Sequence, residues 1–202
     1  MKKLAVLLLA SIMSSIFSYG KARYKEGIKD YFGITGPITF NKVDYIFSWS
    51  SHPVDIYYKQ EFLPNGESSD KFKSMILMDF VVGDFKVEDV LSLKVNELKK
   101  MKESNPVVNY HIIENKATNE YILDFIVSDN SGGKTNIVER NVYRYKLFTD
   151  KNGKKGVLLF GISNRSYGDD IPDFFKKLKT NLNDLVNTVG QFNIPDITIA
   201  QN

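Results

Sequence analysis

Two histidines, no cysteine and a scatter of carboxylates are the reactive groups this chain offers. A zinc site would need His52 and His111 to converge with a carboxylate such as Glu61 or Glu114, because a catalytic zinc takes three protein ligands. Neither histidine has a second ligand at helical or short-range spacing. His52 precedes Pro53, as turn residues do, and His111 sits on the polar side of a strand pattern. Gly132-Gly133-Lys134-Thr135 matches the end of a phosphate-binding loop, but that loop also needs a glycine where Ser128 stands and a strand-to-helix junction. Here the residues lie between two strand patterns, and a flexible hairpin tip explains them. No Gly-x-Ser-x-Gly elbow is present. The carboxylate pairs Glu88-Asp89 and Asp169-Asp170 both fall where predicted helices start, a position that welcomes negative charge without any catalysis. The expectation is a non-enzymatic protein with no catalytic residue, no metal and no cofactor.

Binding is better served. Arg140, Arg144 and Lys146 fall on one side of a long strand pattern, opposite Tyr143 and Tyr145, and Arg165 can join them from the next strand. Such a stripe suits an anion or an acidic partner; a solvated sheet face or an edge guarded by charge explains it as well. Trp49, the single tryptophan, stands among Tyr45, Phe47, Tyr57 and Tyr58. Aromatic side chains combine large area with a polar handle, although strict alternation puts Tyr45, Phe47 and Trp49 on one face, as core packing would. The candidate partner-binding residues are therefore Arg140, Arg144, Lys146, Arg165, Trp49, Tyr57 and Tyr58. Asn164-Arg165-Ser166 is a glycosylation sequon that matters only in a eukaryotic secretory route.

These residues must be positioned by a sheet and two helices. Strands are predicted at Tyr45 to Ser50 and Val54 to Phe62, interrupted by His52-Pro53, and at Lys73 to Val82, Val107 to Asn115, Glu120 to Ser128, Ile137 to Thr149 and Gly156 to Tyr167. The runs around Ile76 and Val157 are apolar on both faces, so something must cover each side of the sheet. Short connections between the last four strands predict antiparallel pairing. Val87, Val90, Leu91, Val95, Leu98 and Met101 recur at helical spacing and predict a helix over 86–104. Ile171, Phe174, Phe175, Leu178, Leu182, Leu185, Val186 and Val189 predict a second over 170–189, capped by Asp169 or Asp170 and stopped by Gly190.

Met1 to Gly20 reads as a secretory signal peptide: Lys2 and Lys3 precede an apolar stretch, Leu4 to Phe17, and Ser18-Tyr19-Gly20 supplies small residues for cleavage. Its style is bacterial, and the expected location is the periplasm or the exterior. The expected organisation is leader 1–20, lead-in segment 21–36, one α+β domain 37–192, and a loose or edge-lying tail 193–202. Of the 27 basic residues two lie in the leader, leaving a net charge of about +1 against 24 acids, which argues against nucleic acid as a partner. Without cysteine there are no disulfides and no lipoprotein anchor.

The order of several strands, a helix, four antiparallel strands and a long final helix resembles the PsbP-like fold over about Ile38 to Phe192. That resemblance implies an antiparallel sheet of six to seven strands in a PsbP-like sandwich, and implies no activity. Trp49-Ser50-Ser51-His52-Pro53 followed by Tyr57 to Glu67 also resembles a stretch in uncharacterised exported bacterial proteins. The function expected from the whole is an exported binding domain for an envelope protein, using a sheet face or the aromatics near Trp49 to Tyr58. A carrier of small molecules or lipids, its cavity lined by strand Phe and Tyr, is the alternative, followed by an envelope hydrolase using His52 or His111.

Overall fold

The computed structural model describes residues 28–200; the expected signal peptide and the start of the lead-in segment lie outside them. The elements run β1 (Ile38–Phe40), β2 (Val43–Val54), β3 (Tyr57–Pro64), β4 (Ser74–Val82), α1 (Val87–Lys102), β5 (Asn109–Asn115), β6 (Glu120–Asp129), β7 (Ile137–Thr149), β8 (Lys155–Tyr167), α2 (Ile171–Thr180) and α3 (Leu182–Gln191). The strands form one antiparallel sheet in the order β1-β2-β3-β4-β8-β7-β6-β5. The α+β class holds. Among the described residues eight strands replace the expected six to seven, three helices replace two, and a single half-barrel sheet with helices on both faces replaces the sandwich.

Both faces are filled because the central strands leave no polar side. On one, α1 lays Val87, Val90, Leu91 and Leu98 on Leu77, Val81, Leu159, Phe125 and Tyr143. On the other, α3 contributes Val186 and Val189 to a cluster with Ile76, Met78, Phe80, Leu158, Phe160 and Ile162. Phe32 from the lead-in segment and Ile197 and Ile199 from the tail complete that second core. Up to Ala200 the tail is thus packed into this core, not loose. Thr198 N–H donates to the Phe32 carbonyl (2.7 Å) and Ala200 N–H to that of Tyr31 (3.0 Å), while Ile199 N–H donates to the Asp150 carboxylate (2.9 Å).

Three local departures from the expected pattern have physical causes. His52-Pro53 does not separate two strands: β2 runs through it and turns at Asp55-Ile56. Proline is tolerated because it falls in the irregular register between Ser51 and Val54. A β-bulge lies just upstream, where Phe47 pairs with Phe62 but Trp49 pairs with the next residue, Glu61. The extra residue, Ser48, turns Trp49 onto the α1 face, away from Tyr45 and Phe47. Finally, the expected long C-terminal helix breaks at Asn181 (φ −123°, ψ 33°). Asp170 holds the cap position without a side-chain cap bond. Gly190 lies inside α3, where a Cβ would stand 3.2 Å from Ile122 Cδ1, so it permits close helix-to-sheet contact instead of ending the helix.

The sheet has tighter points at Gly156 and Gly161 on β8. A Cβ on Gly161 would stand 2.4 Å from Tyr143 Cδ1, since Tyr143 lies directly opposite on β7 and its ring covers the glycine. Gly161→Ala is expected to lower unfolding stability by about 1–3 kcal/mol through overpacking, measured by urea denaturation; an unchanged midpoint would show that the ring moves aside freely.

Candidate functional site

Strand alternation places Arg140, Arg144 and Lys146 together on the α3 face, but Arg165 stands on the α1 face opposite Glu139. Arg165 donates to Glu139 (2.6 Å) and stacks 4.0 Å over the Phe72 ring. The other two arginines point at the covering helix. Arg140 makes a bidentate pair with Asp124, both bonds 2.9 Å, and donates to the Leu182 carbonyl at 2.6 Å. Arg144 pairs with Glu120 at 2.8 Å and donates to the Phe192 carbonyl at 2.9 Å, while Lys146 lies 3.3 Å from Glu120.

Leu182 opens α3 and Phe192 follows its last residue, so each arginine grips one end of the helix. The spacing fits. Four residues of strand span about 13 Å, and ten residues of helix about 15 Å, so α3 runs parallel to β7 with both ends within guanidinium reach. Asp124 and Glu120, supplied by β6, neutralise the arginines where water is scarce. The basic stripe is thereby a clamp on this protein's own C-terminal segment.

The α1 face carries a second group of charges. Asp79, across from Lys59 in the β3–β4 register, accepts a hydrogen bond from the Tyr57 hydroxyl at 2.7 Å. Its other oxygen, and the Tyr145 hydroxyl, find no hydrogen-bond partner among the described residues. Lys94 reaches down from α1 and pairs with Glu97 at 2.7 Å. Burial pushes the Asp79 carboxyl up, opposed by Lys59, the Tyr57 hydrogen bond and Lys94. Burial likewise pushes the Lys94 ammonium down, opposed by Glu97. A carboxyl, an amine and tyrosines so perturbed have the acid–base character of many active sites. However, Asp79 is 3% and Lys94 4% exposed, and α1 covers them.

At the solvent end of this seam are Trp49, half-buried, and Lys59, whose ammonium lies 5.9 Å over the indole ring and 3.6 Å from Glu61. Tyr57 and Tyr58, candidate partner-binding residues in the sequence, are buried. His52 stacks on Tyr58 with ring centroids 4.0 Å apart and 8° between planes, and its Nδ1–H donates to the Tyr57 carbonyl at 3.0 Å. Five strands separate β2, which carries His52, from β5, which carries His111, so the two cannot share a metal. Among the described residues no group of three His, Asp or Glu side chains is placed to hold one. Gly132 and Gly133 belong to a turn between β6 and β7.

The buried pair was detectable before the fold. Asp79 interrupts an apolar strand run, and Lys94 occupies the apolar stripe of α1 between Leu91 and Leu98; each is a charge at a core position, which needs a partner.

A protein-family model matches residues 32–194. No curated protein matches the chain. Among solved structures, LpqN, involved in cell envelope biogenesis of Mycobacterium tuberculosis, is similar at 11% identity over 84% of this chain and 85% of that one, with a TM-score of 0.38. So distant a likeness carries no argument about activity or partner, and these comparisons lend the PsbP-like resemblance no support.

The buried carboxyl gives a pH signature. Because the folded Asp79 holds its proton more tightly than at the ordinary value of 3.8, the folded state binds more protons than the unfolded one above that pH, and stability falls as pH rises through the window. Asp79→Asn does not titrate. Its stability relative to the native sequence is expected to improve steadily as pH rises above about 4, read by denaturant unfolding at several pH values; a pH-independent difference would contradict the shift.

Proposed function

The chain belongs to the family whose model spans residues 32–194, and on that premise we propose that this protein is an exported, non-catalytic binding domain that engages an envelope protein through the Trp49 rim of the β2–β3 hairpin. Export is supported by the leader pattern of Met1 to Gly20; among the described residues no helix is long and apolar enough to cross a membrane. The observation that carries the reading is the half-buried indole of Trp49 near the sheet edge, with the Lys59 ammonium over its ring and Glu61 beside it. Tryptophan is strongly over-represented among residues that dominate binding energy, and a flanking ion pair supplies orientation. Arg140 and Arg144 serve this surface poorly, since their donors are engaged by Asp124, Glu120 and α3.

A carrier needs its aromatic surface open to cargo. Here the rings face one another: Phe160 stacks on Phe192 at 4.7 Å, Phe40 meets Phe192 at 5.2 Å, and Phe125 meets Tyr143 edge-on at 5.0 Å. A hydrolase built on His52 would have to free a ring already stacked and hydrogen-bonded. These observations weigh against a carrier and against a hydrolase built on His52.

The test is quantitative capture of the companion that purifies with the protein from its own envelope. Trp49→Ser combined with Lys59→Gln is expected to weaken that binding by about tenfold or more, the scale of one dominant interface residue, with the circular dichroism spectrum unchanged. Undiminished binding by a folded double variant, or recovery of the native protein with no companion, would contradict the proposal.

A further inference from the structure

The two edges of the sheet are built differently. Beyond the three residues that β1 covers, β2 carries the bulge at Ser48, a second irregularity before Val54, and Pro53, all devices that spoil pairing with another chain. β5, the opposite edge, has none. It pairs with β6 through all seven residues without a register shift, its sequence Asn-Tyr-His-Ile-Ile-Glu-Asn contains neither lysine nor proline, and Ile112 is 39% exposed. A regular edge of this kind is a template for a further strand.

We infer that β5 pairs antiparallel with β5 of a second copy of this chain, about a two-fold axis through Ile112. The register is self-complementary. Ile112 meets Ile112 of the second copy, His111 meets Ile113, Asn109 meets Asn115, and Tyr110 meets Glu114. Tyr110, Ile112 and Glu114 share the α1 face, as their pairing with Phe125, Leu123 and Tyr121 requires. On that face a groove of about 470 Å³ is lined by Lys99, Lys102, Glu103, Asn109 and Tyr110. The second copy's Glu114 is carried to Tyr110, beside Lys99 and Lys102, with Glu103 the one carboxylate there.

Within its own chain Glu114 accepts a 3.4 Å bond from the Tyr121 hydroxyl, which is nearer Glu88 at 2.9 Å. Little therefore opposes its turning to the groove. The contact thus joins opposite charges and covers an exposed isoleucine, without using the Trp49 rim near the other edge of the sheet.

Seven paired residues and one groove make an interface below standard size, so association is concentration-dependent. Sedimentation velocity of the purified, host-processed protein, from about 1 μM to 1 mM, is expected to show a dimer that dissociates on dilution. Ile112→Lys puts like charges on the axis and should shift the midpoint upward by about tenfold or more, with Tm unchanged because the site is on the surface. Glu114→Lys should also weaken the dimer, and adding Lys99→Glu with Lys102→Glu should restore it. Monomer throughout the range, or a dimer indifferent to Ile112→Lys, would overturn the inference; failure of the charge exchange to restore association would overturn the register.

Discussion

Two arginines on one strand decide how this chain closes. The central strands β4 and β8 are apolar on both sides, so the sheet is unstable in water until each face is covered. Covering the α1 face is local, since α1 follows β4 directly. Covering the other requires the last helix and the tail to return across β7, a long loop closure with an entropic cost. Arg140 and Arg144 fix where that segment lands by holding the carbonyls of Leu182 and Phe192. Hydrophobic contact supplies area without direction; the guanidinium forks supply position.

The same logic operates on the opposite face with a different outcome. Asp79 and Lys94 place opposite charges between sheet and helix, but incompletely satisfied: one Asp79 oxygen and the Tyr145 hydroxyl find no partner among the described residues. A buried network of this kind contributes little net stability, since desolvation offsets the attraction. Chemistry that resembles an active site by its perturbed groups alone is here enclosed by α1. Trp49 and Lys59 lie at the solvent end of this seam, half-buried on the β2–β3 hairpin.

Much of this was legible in the residues. The α+β class, the helix around Val87 to Met101, the strand pattern of β6 to β8 and the shared side of Arg140, Arg144 and Lys146 all follow from periodicity, because side-chain direction is set by backbone repeat. The missed features are single-residue events that periodicity averages away. Ser48 adds one residue to β2 and sends Trp49 to the other face; Asn181 divides a continuous apolar stripe into two helices; Pro53 sits in a strand because its position is unpaired. The role of the arginines was hidden for another reason. A stripe that binds a partner and a stripe that binds the chain's own C-terminal segment have the same sequence, and only the return of Leu182 and Phe192 across β7 tells them apart.

Amide hydrogen exchange along α3 tests that internal clamp most directly. Native protein would be compared with the Arg140→Ala, Arg144→Ala double variant, which loses both donors to the Leu182 and Phe192 carbonyls. The account predicts that protection of α3 falls by about tenfold or more, and by more than that of α1 on the opposite face. Protection of α3 that is unchanged, or that falls only as much as that of α1, would mean that the arginines do not hold α3 in place and are available to a partner after all.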